Sequence, residues 1–141
     1  GKDLSEPLEL KEWDEAALAF LGAFVAKDLE AWSAVFDLDK HAERRIPEFS
    51  KLSENMRQQK LQELRLEWTN RISTIDDVPA GAPKDLATLR SWYGPSLESR
   101  ESNGSAEVRL PGIGLVRVHK ATSGERKGRW LVYDFDKDAD R

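Results

Sequence analysis

The chain has 141 residues, of which 39% are hydrophobic and 34% charged, proportions that suit one domain with a single core and a heavily charged surface. Its 22 basic and 26 acidic side chains leave a net −4, which disfavours indiscriminate nucleic-acid binding. The absence of cysteine excludes disulfides, thiolate catalysis, Cys-ligated zinc and iron–sulfur clusters, and no apolar run approaches the ~18 residues that span a bilayer.

The opening Gly1-Lys2-Asp3 reads as no signal peptide. A bacterial-type cytoplasmic setting and export with a leader removed both fit a soluble cysteine-free chain. Leu8, Leu10, Trp13, Ala17, Phe20, Leu21, Phe24 and Val25 recur at helical spacing, with Glu9, Glu12, Asp14 and Glu15 toward the start. This pattern predicts an amphipathic helix whose acidic first turns suit its dipole. Asp28 is placed to cap a second, shorter helix presenting Leu29, Trp32, Val35 and Phe36, which Asp37, Asp39 and the Ile46-Pro47 step would end. Ser50 can cap a third helix reaching Ile75, with Leu52, Met56, Leu61, Leu64, Trp68, Ile72 and Ile75 on one stripe and a solvated, mixed-charge face opposite. Asp76–Pro83 reads as a loop, and Asp85–Trp92 as a short helix closed by Gly94-Pro95.

Beyond Pro95 the period changes from helical to alternating. Ser96–Ser102, Ser105–Leu110, Ile113–Ala121 and Arg129–Asp136 read as four strands, joined by Asn103-Gly104, by Pro111-Gly112 and by the polar Thr122–Gly128. The expected fold is therefore one α+β domain over residues 1–141, with N-terminal helices packed on a four-stranded antiparallel C-terminal meander, cone-like with a curved sheet. Two-residue turns at both hairpins would place Leu97, Ala106, Val108, Leu110, Ile113, Leu115, Leu131, Tyr133 and Phe135 on the helix-covered face, with Arg117 and His119 at its end. The other face would carry Glu107, Arg109, Val116, Val118, Trp130, Val132 and Asp134. On that reading Val116, Val118, Trp130 and Val132 form an exposed apolar patch, which predicts a homodimer through the sheet face.

Two stretches resemble a known family. Phe20-Leu-Gly-Ala-Phe24 followed by Lys27-Asp28-Leu-Glu-Ala-Trp32 is similar to the first two helices of the nuclear transport factor 2-like superfamily. Gly128-Arg-Trp130-Leu-Val-Tyr133 resembles that family's last strand. The long charged helix in the middle departs from the pattern and leaves a cystatin-like relative open. The resemblance implies a conical α+β fold, dimers packed through the sheet, and a pocket between sheet and helices that would be lined by Trp92, Arg117, His119 and Tyr133. It implies no single activity, since the family holds isomerases, cyclases, dehydratases and members without catalysis. The isomerase pattern needs a tyrosine near the first helix, where this chain has Trp13, Phe20 and Phe24.

The polar constellation with most chemistry is Arg117-x-His119 with Tyr133 across the strand pair, a group able to do general acid–base work. The leading expectation is nevertheless a non-enzymatic or small-ligand-binding domain taking a small apolar ligand, without cofactor or metal. An isomerase, cyclase or dehydratase using His119, Arg117 and Tyr133, or a lipid carrier with a long apolar cavity, are the alternatives. Asp134-x-Asp136-x-Asp138-x-Asp140 lacks the glycine and the closing glutamate of a calcium loop. Asp37-x-Asp39-Lys-His41 reads as a polar turn rather than a metal site, and Gly112-x-Gly114 as turn chemistry rather than a dinucleotide fingerprint. The basic stretch Arg109–Arg129, six cations against Glu125 alone, reads as a solvated rim.

Overall fold

Helix α1, Trp13–Ala26, runs through the centre of the molecule, and every residue from Ala16 to Phe24 on it is buried. The expected amphipathic helix is thus enclosed on all sides over its middle, as an all-round apolar sequence requires. The computed structural model describes residues 12–74, 86–110, 113–122 and 124–137. Leu8, Leu10, the predicted loop over 76–83 and the acids Asp138 and Asp140 lie outside them.

Lys27 adopts the left-handed conformation and closes α1, its N–H returning to the carbonyls of Ala23 and Phe24. Asp28 then caps α2, Leu29–Val35, by accepting from the Ala31 N–H at 3.1 Å. A third helix follows where the sequence pattern predicts only a terminating turn. Asp37 accepts from the Lys40 N–H at 3.1 Å and starts α3, Leu38–Arg45, whose last turn carries Arg44 and Arg45. The acid expected to end one helix begins the next. A single-turn segment at Phe49–Lys51 leads to α4, Glu54–Thr74. Its capping residue is Ser53, which accepts from Met56 N–H at 3.3 Å, not Ser50. Of the predicted stripe, Leu64, Trp68 and Ile72 are buried, whereas Met56 is exposed. Helix α5, Leu86–Tyr93, completes the helical part.

The strands β1 (Glu98–Ser102), β2 (Ser105–Leu110), β3 (Gly114–Lys120) and β4 (Trp130–Lys137) form an open antiparallel sheet in the order β1-β2-β3-β4, with the helices N-terminal to it. The fold is α+β, as expected. The first hairpin has the expected register, with Ser99 opposite Val108 and Ser102 opposite Ser105. The second does not. Leu110 pairs with Gly114, so positions 111, 112 and 113 intervene and Val108 faces Val116 instead of Leu115. A slip of one residue turns every side chain of a strand over. Leu115, Arg117 and His119 therefore leave the helix-covered face, and Val116 and Val118 enter it.

A register shift between Arg117 and Val118 finishes the rearrangement. Val118 pairs with Val132 but Arg117 pairs with Asp134, which leaves Tyr133 as the extra residue of β4. Trp130, Val132 and Phe135 thereby share the α1 face, while Leu131 and Asp134 go to the other. The predicted dimer surface is consequently the core of the monomer: Val116, Val118 and Val132 are 0% exposed and Trp130 is 6%. They belong to one cluster with Phe20, Phe24, Trp32, Phe36, Trp68 and Phe135. The apolar patch is real, but the chain's own helices cover it.

The outer edge of β4 meets the α2–α3 junction. Phe36 forms a parallel bridge with Val132, and the Asp37 N–H donates to the Val132 carbonyl at 2.7 Å. This short contact places α3 beside the sheet face that α1 leaves uncovered.

Candidate functional site

Three pieces of the chain bring polar groups together on that second face: α3, the odd-numbered residues of β3, and the bulged stretch of β4. His119 extends from β3 and its Nε2 lies 2.8 Å from Oδ2 of Asp37. A carboxylate can only accept, so Nε2 carries the proton and Nδ1 is left as an acceptor. Among the described residues Nδ1 has no partner, and it is not a buried orphan, so it opens to solvent. The Tyr133 ring stands edge-on to the imidazole with centroids 5.5 Å apart, and the Lys40 ammonium lies 5.1 Å from the centre of that phenol ring.

Asp37 therefore works at two places, capping α3 through one oxygen and holding His119 through the other. Burial pushes its carboxyl up. The His119 hydrogen bond, the Lys40 N–H and the nearby charges of His119 and Arg126 outweigh this and hold it below the ordinary value. The groups open onto a cleft of about 760 Å³ whose walls include Lys40, Glu43, Arg126 and the Asn103-Gly104 turn. Arg126 anchors one wall by donating to the carbonyls of Ser33 and Phe36 at 3.2 and 3.1 Å, at the end of α2.

Beside the cleft lies a charge network centred on Asp134, a fully buried carboxylate. Arg44 Nε donates to Oδ2 at 2.5 Å, and Arg45 donates to Oδ1 from Nη2 at 2.6 Å and from Nε at 3.1 Å. Burial alone would raise this acid. His41 at 3.6 Å, then Arg45 and Arg44, hold it well below the usual carboxylate range. His41 Nδ1–H donates to the Tyr133 carbonyl at 3.0 Å, and its Nε2 accepts from the Trp68 indole N–H at 3.2 Å. Both ring nitrogens are thus spent on structure. The network fixes the bulge of β4 against α3 and α4.

The sequence-predicted trio is divided by this arrangement. His119 and Tyr133 share the cleft, but Arg117 does not line it. Arg117 pairs with Asp136 and, through Nε, with Glu107 at 3.4 Å. Its charge is neutralised by strand neighbours. Trp92 is 51% exposed on α5, beside Tyr93, and is no part of the cleft. The residue that the pattern reading missed is Asp37, whose capping signal was present but whose partner stands 82 positions away. Among the described residues no three His, Asp or Glu side chains gather as a metal-ligand set. Asp37 and His41, close in sequence, point to different partners.

Comparison with family models, curated proteins and solved structures finds no match for this chain.

Proposed function

We propose that this chain is a small-ligand-binding domain of nuclear transport factor 2-like type, seating a polar ligand in the cleft headed by His119, Asp37 and Tyr133. The observation that carries the reading is the imidazole itself. It is oriented by Asp37 at 2.8 Å, flanked by a phenol ring, and presents an unpartnered Nδ1 to a cleft of about 760 Å³. Helices preceding an antiparallel meander, and a first helix without tyrosine, support the family type and argue against the isomerase pattern. The charged walls favour a polar ligand over the apolar one that the sequence suggests, and over the acyl chain of a lipid carrier.

A second reading rests on the same pair. An imidazole whose far nitrogen is held by a carboxylate is arranged as a general base, with Asp37 fixing the tautomer and stabilising the ring when it gains a proton. Isomerase or dehydratase chemistry would then need His119 and Asp37, without Arg117.

A thermal-shift screen of polar metabolites on the intact chain and on His119→Ala tests both readings. Binding is expected to stabilise the wild type and to be lost in the variant. Ligands that stabilise both chains equally would place the site elsewhere, and the absence of any hit would remove the binding reading. Turnover of a hit by the wild type alone would favour the second reading.

A further inference from the structure

Arg71 on α4 makes no ion pair among the described residues. Its guanidinium carbon lies 4.6 Å from the centroid of the Trp68 ring and 5.2 Å from that of Phe135, so two aromatic rings hold it in place. Among the described residues no carboxylate makes an ion pair with it and no acceptor takes its N–H groups. Those donors are not buried orphans either, so they reach the adjoining space. That space is a cleft of about 400 Å³ between α3 and α4, distinct from the His119 cleft, with Arg45, Lys60 and Arg71 on its walls and Ile46 and Leu64 as apolar lining.

The surrounding charges sharpen the need for an anion. Burial, then the neighbouring charge of Arg45, lowers the pKa of Arg71, while Asp134, Asp136 and Glu67 only partly offset this. Glu63 is 3.6 Å from Lys60 and pairs with it. Glu67, one turn before Arg71, lines the cleft but makes no ion pair with it among the described residues.

We propose that the α3–α4 cleft is an oxyanion subsite in which Arg71 donates two parallel hydrogen bonds to the carboxylate or phosphate group of a small ligand. The planar fork of guanidinium matches either group, and the Trp68 and Phe135 rings on which it rests restrict its movement before binding, so less side-chain freedom is lost. Lys60 and Arg45 also line the cleft, but each is already paired with a carboxylate, Lys60 with Glu63 and Arg45 with Asp134 and Asp136, so Arg71 is the main anion partner and Glu67 a weak internal competitor.

The test is an NMR titration of the intact chain with inorganic phosphate in one arm and benzoate in another, against sodium chloride at matched ionic strength. The readouts are the Arg71 Nε–H and Trp68 indole N–H signals. Saturable shifts with phosphate, benzoate or both, and none with chloride, are expected; the arm that saturates identifies the oxyanion. Arg71→Leu should abolish saturation, Arg71→Lys should weaken it about tenfold by losing the bidentate geometry, and Glu67→Gln should tighten it about twofold. Shifts that rise linearly without limit, that chloride reproduces, or that survive in Arg71→Leu would overturn the proposal. Should Arg71→Leu not fold, Glu67→Gln still decides, because it alters an exposed helix position: unchanged or weaker binding there would count against Arg71 as the anion's partner.

Discussion

Val116, Val118 and Val132 sit on one face of the sheet in a single apolar cluster with Phe20 and Phe24 of α1, whereas Arg117, His119 and Asp134 of the same two strands turn toward ion pairs and α3. Both faces are covered, by opposite means. The α1 face is held by burial, which is non-directional and tolerates small shifts. The α3 face is held by hydrogen bonds and charge pairs, which depend on geometry and on pH. The first supplies the bulk of the stability. The second supplies groups that can do chemistry, because directional contacts leave particular atoms such as His119 Nδ1 facing water.

The comparison breaks most violently at Trp130. Its indole is part of the apolar cluster, so Trp130→Glu would place a carboxylate in a dry core and cost more than about 4 kcal/mol. Loss of the cooperative unfolding transition, followed by circular dichroism, is expected. A folded variant whose sedimentation mass is half that of the wild type would instead show Trp130 in a subunit interface.

How far the sequence reveals this architecture depends on which interaction decides each element. Helix positions and strand positions are local, and the periodicity over Phe20–Phe24 and the Asn103-Gly104 turn are enough to place them. Face assignment is not local. It turns on one residue in the 110–114 connection and one in the bulge at Tyr133, and neither leaves a mark in the alternation of apolar residues. Runs such as Trp130-Leu131-Val132 are apolar at every position, so either register satisfies them. Asp37 illustrates the remainder: its cap of α3 is a local signal overlooked beside the Ile46-Pro47 step, while its bond to His119 required the folded topology.

Gly114 offers a narrower disturbance at the start of β3. A Cβ built there would collide with the Asp136 carbonyl and stand 3.0 Å from the Phe135 ring. Backbone cannot give way as a flexible side chain does, so Gly114→Ala should destabilise by roughly 1–3 kcal/mol. A urea midpoint unchanged from wild type would show that the β3–β4 pairing has slack at this end.

The α3 face should betray itself by acid sensitivity. Asp134 and Asp37 are both held below their ordinary values. The unfolded chain therefore takes up protons on these groups at a higher pH than the folded chain does. Their contribution is complete above about pH 5, where the unfolded carboxylates are ionised, and drains away as pH falls through the unfolded and then the lowered folded values. Urea midpoints should begin to fall below about pH 5 and drop steeply below about pH 4. Asp134→Ala should lower stability by about 2 kcal/mol near neutrality and flatten that acid limb. The loss is moderate because Arg44 and Arg45 are partly exposed and can rehydrate. An acid limb of the same depth in Asp134→Ala would assign the sensitivity to other carboxylates.

The finest division lies within Asp37, whose two oxygens serve two different tasks. Asparagine caps a helix about as well as aspartate, so Asp37→Asn should stay within about 0.5 kcal/mol of wild type, while Asp37→Ala should lose about 1 kcal/mol. The consequence for His119 is larger than the consequence for stability. In the wild type the carboxylate accepts from Nε2–H and leaves Nδ1 as an acceptor toward the cleft. An asparagine keeps its oxygen on the Lys40 N–H and offers its amide N–H₂ to Nε2, which must then accept. The proton moves to Nδ1, and the cleft-facing atom changes from acceptor to donor. Nitrogen chemical shifts of the neutral His119 ring report the tautomer directly, and they should invert between wild type and Asp37→Asn with the fold intact. Identical tautomers in the two proteins would mean that Asp37 caps α3 without governing the imidazole, and the polar face would lose its claim to a positioned base.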